Sequence, residues 1–359
     1  MSESGGLASE VAIIEFDEDP LGQLKQGVDM IGGIDDLNTA ERSVVVKVGV
    51  FSHKAENHSS VGVVNAITNC FGKAPKIFVA ESDNYRGTGG ERLQIWKELF
   101  TERIAPFNLS EDPNTKSVEL GGEEMNLSHV LFKPNVLVDT HILRSFERGS
   151  ILKNLFGCIP TAKKARYHKI LPTLLADVYE VIGGVDLAVL DGTYFWRGAG
   201  NTPVQMSTLL VGRDAVAVET VGATLAGLKP QKMPVLQEFV KRGLGEGNLG
   251  NIRIVGASFE RLKEKFSAAA IDQKKLLTQR RGPQTWGGQS YRVLEGLIHE
   301  EFFKLPNKRT VNDVAKAFEA RGLSTKGNEG KIASSIARRV KKGVLKKSKV
   351  SSTWVYWTE

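Results

Sequence analysis

From residue 41 onward, apolar residues fall into short runs separated by glycine-rich or polar turns, and two kinds of spacing alternate. "RSVVVKVGVF" is a β-branched strand run, and "VGVVNAITNCFG" has the spacing of a helix closed by Gly72. "KIFVAES" is a further strand that leads through "DNYRGTGG" into the helix-like "ERLQIWKELF". "HVLFKPNVLVDTH", "VDLAVLDG" and "NIRIVG" read as strands, and "STLLVGRDAVAVETVGATLAG" gives a strand, a turn at Gly212 to Asp214 and a small-residue helix. Strand, glycine-bearing loop and helix in repetition predict an α/β fold over 41–265, a mainly parallel sheet with helices on both faces. Its functional loops are expected at the carboxyl ends of the strands. Residues 1–40 read as a polar segment, and the Lys/Gln/Arg-rich 266–289 as a linker.

The pattern changes after residue 290. "SYRVLEGLIHEEFF" starts at a capping Ser290 and sets Val293, Leu294, Leu297, Ile298 and Phe302 on one helical face. A second helix has a Thr310–Asp313 capping box, a stripe of Val311, Val314, Ala315 and Phe318, and a stop at Gly322. In the third, Ile332, Ala333, Ile336 and Val340 share a face, while Lys331, Ser335, Arg338, Arg339 and Lys342 supply a cationic side. "VLKKSKV" and "TWVYW" then alternate as two strands around a basic turn. Three helices and a hairpin resemble a small winged-helix (α+β) domain over 290–359. The resemblance implies a third helix in the major groove of DNA or RNA, and Lys346, Lys347 and Lys349 of the wing on phosphate. Winged helices also dock proteins, which is the alternative for this region.

A chain of 359 residues is expected to hold two folded units. Charge divides them. The net charge is +7, but residues 301–359 hold 14 Lys and Arg against 5 Asp and Glu, a net +9, which leaves −2 for the first 300. That asymmetry marks the C-terminal region as the one to meet a polyanion. No apolar run approaches the ~20 residues that span a bilayer, and "MSESGGLASE" lacks the basic and apolar parts of a signal peptide, so the reading is a cytoplasmic protein without a membrane partner. Cys70 and Cys158 are too few for a disulfide framework or a four-thiolate iron–sulfur set, and read as buried thiols. No His-x-x-x-His spacing occurs, and no metal ligands are assigned.

One stretch breaks the apolar rule. "SILKNLFGCIP" carries Lys153 and Asn154 side by side, and a buried cation and amide need partners. Lys153, Lys163, Lys164, Arg166 and His168 together favour an anion. These motifs also resemble a known pattern. "LKNLFG" with a following histidine, "VLVDTH", "AVLDG", "LLVGRDAVAVETVGATLAG", "VVVKVGV" and "IFVAES" are similar, in order and over roughly 41–262, to the prokaryotic family catalogued as domain of unknown function 362. Members are often fused to ferredoxin-type modules, which implies redox or cofactor-related roles for some. This chain has no cysteine cluster, and no iron–sulfur cluster is expected. It also has Asp139 where the family's Lys-x-His pattern leads to a lysine, so that either the anion site is altered or Lys133 compensates.

Lys47, Asp83, Lys153, Asn154 and Asp214 are the candidate ligand-binding residues, and His141, His168 and Asp191 the candidate catalytic ones, since all fall near strand ends or adjoining loops. Each has a plainer alternative: Asp191 makes a turn, Asp214 caps a helix, and His53 and His58 decorate a loop. "YRGTGGER" and "WRGAGNTPV" are ordinary turns or backbone cradles for an anion. Two functions stay open. In one, the α/β unit binds a small anionic metabolite and the tail binds nucleic acid; in the other, the protein is a metabolic enzyme, redox- or cofactor-related, whose tail docks a protein.

Overall fold

A computed structural model of the chain describes residues 9–53, 55–196, 203–280 and 286–358. The chain divides into two compact units, 1–273 and 274–359. The first unit contains β1 (Glu10–Glu15), α1 (Pro20–Met30), β2 (Val44–Val48), α2 (Val61–Cys70), β3 (Ile77–Glu81), α3 (Gly89–Leu93) and β4 (Ile104–Asn108). A hairpin of β5 (Thr115–Leu120) and β6 (Glu123–Ser128) follows, then β7 (Val136–Arg144), α4 (Ile151–Asn154), α5 (Leu171–Ile182) and β8 (Leu187–Trp196). Last come β9 (Val204–Gly212), α6 (Ala215–Leu225), α7 (Pro234–Lys241), β10 (Arg253–Gly256) and α8 (Phe259–Arg280).

Eight strands form one sheet in the order β10-β1-β9-β8-β7-β2-β3-β4. All share one direction except β9, which is antiparallel to both neighbours. This is the expected α/β architecture. Both faces of the sheet are covered, so the strands read as apolar runs: in β2, Val44, Val46 and Val48 pack toward α1 and α2, and Val45 toward the face that carries α4 to α7. From β2 the chain builds outward through β3 and β4, then returns to place β7 and β8 on the other side of β2. The boundary between β2 and β7 is therefore a topological switch point, where a crevice opens at the carboxyl ends of the strands.

Two sequence boundaries are corrected. Residues 1–40 are not a separate polar segment, because β1 is an internal strand between β10 and β9 with Val11, Ala12 and Ile13 wholly buried. Its apolar core is short and framed by Glu10 and Glu15, which hid it in a polar background. Asp19 then caps α1 by accepting from the Leu21 amide, with Pro20 at the first helical position. Most of 266–289 is helical, since α8 runs to Arg280 and a helix restarts at Trp286. Ala, Lys, Gln and Leu are good helix formers, and no Gly or Pro interrupts them before Gly282.

The second unit contains α9 (Trp286–His299), α10 (Val311–Glu319), α11 (Glu329–Lys341) and the hairpin β11 (Lys346–Val350) with β12 (Thr353–Trp357), the order expected. Leu294, Leu297, Phe303, Val314, Phe318, Ile332 and Ile336 fill its core. The Thr310–Asp313 capping box forms. Ser290 does not cap: it lies inside α9 and its hydroxyl donates to the Gly287 carbonyl at 3.1 Å, while Trp286 anchors the earlier start by donating to the Ser324 carbonyl at 2.6 Å.

Candidate functional site: a cationic cavity at the switch point

A layer of buried polar side chains lies at the carboxyl ends of β2, β3 and β7. Lys47 projects from β2 on the same face as Val45, in register with Asp139 of β7. Its fully buried ammonium donates to the Val48 carbonyl at 2.8 Å, Glu81 Oε2 at 3.2 Å and Asn154 Oδ1 at 3.3 Å. Glu81 ends β3, accepts from the Ser82 amide at 2.8 Å and meets Arg92 at 3.4 Å. Burial pushes its carboxyl up, but Lys47, Arg92 and Lys164 outweigh burial and hold it below the usual range, so it is ionised. The Asn154 amide nitrogen reaches Asp139 Oδ1 at 2.5 Å and the Lys47 and Thr140 carbonyls at 3.2 Å. Asp139 is the poorly served member. Its Oδ2 has no hydrogen-bond partner, and burial pushes its carboxyl up to about 7 despite Lys47 and Asn154. Gly157 allows the "LKNLFG" turn to close over this layer, because a Cβ there would fall 2.4 Å from Lys47 Nζ.

Above this layer is a cavity of about 440 Å³. Arg86, Arg92, Arg144, Arg148, Lys153 and Lys164 line it, against one carboxylate, Glu81. Aromatic rings complete the wall. Phe51 is flanked by two guanidiniums, Arg86 at 4.1 Å and Arg144 at 4.5 Å from the ring centre. Lys153 stands with Nζ 4.0 Å from the centre of the Phe156 ring and, among the described residues, has no hydrogen bond and no carboxylate partner. Burial, aided by Lys164, Arg148 and Lys47, pushes its ammonium down to about 7. Lys164 is pushed down by burial to about 8 and donates to Ser82 Oγ at 2.5 Å. Glu219 of α6 fixes the start of α4 by accepting from the Ser150 and Leu152 amides at 2.9 and 3.0 Å. That clamp sets Asn154 toward the buried layer and Lys153 toward the cavity.

Two histidines share the wall. His141 Nδ1 lies 3.0 Å from the Ile142 carbonyl, and a carbonyl only accepts, so Nδ1 carries the proton and Nε2 the lone pair. Loss of solvent around the ring, with Arg144 beside it, pushes its pKa down to about 3, so it is neutral. Gly49 makes room for it, since a Cβ there would sit 2.2 Å from the ring. His168 is exposed, with Nδ1 2.9 Å from the Ala165 carbonyl and its ring 5.5 Å from that of Phe156.

Of the residues expected from sequence, His141, His168, Lys153 and Asn154 line the cavity, and Lys47 lies beneath it. The others do not join them. Asp83 is engaged by the Gly89 amide at 2.7 Å and Asn108 Nδ2 at 3.1 Å, which also turns the "YRGTGGER" loop into a capped start for α3. Asp191 is buried and accepts from the Ser60 amide and hydroxyl at 2.7 and 2.5 Å and from the Thr193 amide at 2.9 Å, so it anchors the start of α2. Asp214 caps α6 through the Val216 and Ala217 amides and also accepts from Ser9 and the Glu246 amide. It stands at the opposite end of the strands, because β9 alone runs backwards and carries its carboxyl end away from the switch point. Lys133 pairs with Asp186 and does not replace the missing lysine at 139. His58 is buried against Trp96. The loop "WRGAGNTPV" lies largely outside the described residues. Phe51, Glu81, Arg86, Arg92 and Arg144 were not anticipated; a carboxylate closing the apolar run "KIFVAE" was the one available signal for Glu81. Among the described residues, no group of three or more His, Cys, Asp or Glu is placed to hold a metal ion.

Residues 44–224 match the family described as domain of unknown function, DUF362. The chain belongs to the DUF362 family. Every residue lining the cavity falls inside the DUF362 match, which runs from β2 to α6 and omits β1, β10 and the second unit. A search of curated proteins gives no match. No described helix is long and apolar enough to cross a membrane.

Beyond the DUF362 region, the basic residues of the second unit divide. Lys331, Arg338 and Lys342 of α11 and its end, with Lys346, Lys347 and Lys349 of β11, are exposed. Arg339 is corrected: it is buried and donates to Glu295 Oε1 at 2.6 and 3.1 Å, because it faces the core side of α11. Ser335 is half-buried and its hydroxyl accepts from Arg339 at 2.9 Å.

Proposed function

We propose that the α/β unit binds a small polyanion bearing a planar or apolar group, and that the C-terminal unit binds DNA or RNA. The observation that carries the first half is the charge imbalance of the cavity, six Lys and Arg side chains around one carboxylate that Lys47 and Arg92 already neutralise. Arg92 and Lys164 are buried, Arg144 and Lys153 half-buried, and Arg86 and Arg148 exposed. Cations gathered this closely repel each other, those away from water are also poorly solvated, and a bound anion offsets both costs. Guanidiniums stacked on Phe51 and the ring of Phe156 favour a ligand with a flat or apolar part. The position at a switch point of a parallel sheet agrees with this reading.

Titration of the protein with inorganic pyrophosphate and with a nucleoside monophosphate tests it. Both are expected to raise the unfolding temperature, with ~2.7 kcal/mol gained at a hundredfold excess over Kd, and Arg144→Ala to weaken both. Anions that leave the unfolding temperature unchanged would remove the reading.

For the tail, support comes from the exposed cations of α11 and β11 and from element order. β12 also meets Arg309, between α9 and α10, through an isolated antiparallel bridge at Tyr356, which agrees with a winged-helix reading. In that arrangement α11 is the groove helix. Binding of the full chain to duplex DNA is expected to weaken with salt, and Arg338→Ala with Lys342→Ala to make the log–log slope shallower by about 2. A slope that both variants leave unchanged argues for a protein partner instead.

A further inference from the structure

Lysines in folded proteins ordinarily end in water or on a carboxylate. Lys47 and Lys133 follow that habit, on Glu81 and Asp186, and Lys164 is tied to Ser82. Lys153 does not. Its Nζ lies over the face of Phe156 on the wall of the cavity, its cationic neighbours are Lys164, Arg148 and Lys47, and the one acid near it, Glu81, is consumed by Lys47 and Arg92.

We infer that the Lys153 amine is a nucleophile that forms an imine with an aldehyde or ketone group carried by the anion that fills this cavity. The inference rests on the anion-site reading and adds a reacting group to it. Three requirements of such chemistry meet here. The first is a lone pair: the Phe156 face favours the ammonium, but desolvation and three like charges oppose it and push the group down to about 7, which leaves free amine at neutral pH. Second, the amine must be reachable, and Lys153 borders a cavity with room for a small metabolite. Third, the substrate must be held, and Arg86, Arg144, Arg148 and Lys164 on the same wall suit its phosphate or carboxylate.

The step balances without an oxidant. The nitrogen lone pair forms the N–C bond as the C=O π pair moves onto oxygen. That oxygen takes up two protons and leaves as water, and nitrogen gives up its own two, so amine and carbonyl yield imine and water. His168, whose Nδ1 donates to the Ala165 carbonyl, turns the lone pair of Nε2 to this wall to relay protons.

The test uses the wild-type full chain and so does not depend on a variant folding. Pyridoxal 5'-phosphate, an aromatic aldehyde bearing a phosphate, is added below stoichiometry and trapped with borohydride, and the labelled lysine is found by peptide mass mapping. Pyrophosphate binding is measured in parallel by calorimetry. Lys153 is expected to be labelled at least about tenfold faster than exposed lysines such as Lys163, more at pH 8 than at pH 6, and to be protected by pyrophosphate. Pyrophosphate binding with labelling spread over surface lysines overturns the imine and leaves the anion site standing. Selective labelling of Lys153 without pyrophosphate binding supports the reactive amine and removes the anion site. Neither result appearing overturns both.

Discussion

Lys47 and Lys153 belong to layers of opposite character. The lower layer, Lys47 with Glu81, Arg92 and Asn154, is closed on itself apart from Asp139 Oδ2, and each of these other charges meets an opposite charge or a carbonyl. The upper layer, Lys153 with Arg86, Arg144 and Arg148, has stacking partners but no carboxylate of its own except Glu81 below. A buried charge that is paired holds the fold, whereas one left unpaired at a cavity costs stability and is retained where something else completes it. The two lysines differ in circumstance, not in kind.

Substitutions separate the layers, and the largest effect belongs to the lower one. Lys47→Met leaves Glu81 with Arg92 as its remaining ion pair, and a loss of about 3–5 kcal/mol is expected, seen as a lower urea midpoint at unchanged slope. A midpoint like the parent's would show that Lys47 is not structural. Next comes Asp139→Asn. The native carboxyl titrates near 7 and the unfolded one near 3.9, so between those values the native state holds a proton that the unfolded state lacks, and stability falls as pH rises. The variant removes that loss, gaining about 4 kcal/mol at pH 8 and little at pH 4, as denaturation at the two pH values checks.

Lys153→Met should reverse the sign seen for Lys47. A lysine depressed to about 7 in the native state costs most at and below pH 7, and the cost fades toward pH 10. The variant is expected to be roughly 1–3 kcal/mol more stable at pH 7, after allowance for partial exposure, yet to bind pyrophosphate at least ~10-fold less tightly. A variant that loses both stability and binding would place Lys153 in the lower layer. The smallest effect is expected from Arg148→Ala, with stability within ~0.5 kcal/mol and an anion affinity several-fold lower in titration.

The strands that build the switch point were legible because each is buried on both faces and reads as an apolar run. Lys153 and Asn154 were legible for the same reason, as polar residues in such a run, but not their division between layers, which depends on the Glu219 clamp from a helix 65 residues away in sequence. Asp191 and Asp214 had the expected position at strand ends and the wrong consequence. One is consumed by a helix start, and the other sits at the far end of the strands because strand direction is set by pairing, which the local sequence does not carry. Phe51, Arg86 and Arg144 come from loops and a strand end whose convergence is purely tertiary. In the tail, helical phase identified the core, but Arg339 sits at the border of the stripe, where a long side chain turns either way.

β1 is apolar toward both faces, with Val11 and Ile13 on one and Ala12 and Ile14 on the other, and its partners in the sheet are β9 and β10. During synthesis, neither partner exists until residues 212 and 256 have been added. At 5–20 residues per second, β1 waits roughly 10–40 s for its first neighbour, while the strands around the cavity can already pair among themselves. β1 is thus left longest without its neighbours as the chain emerges, and the cavity can form before the far side of its own sheet has been made.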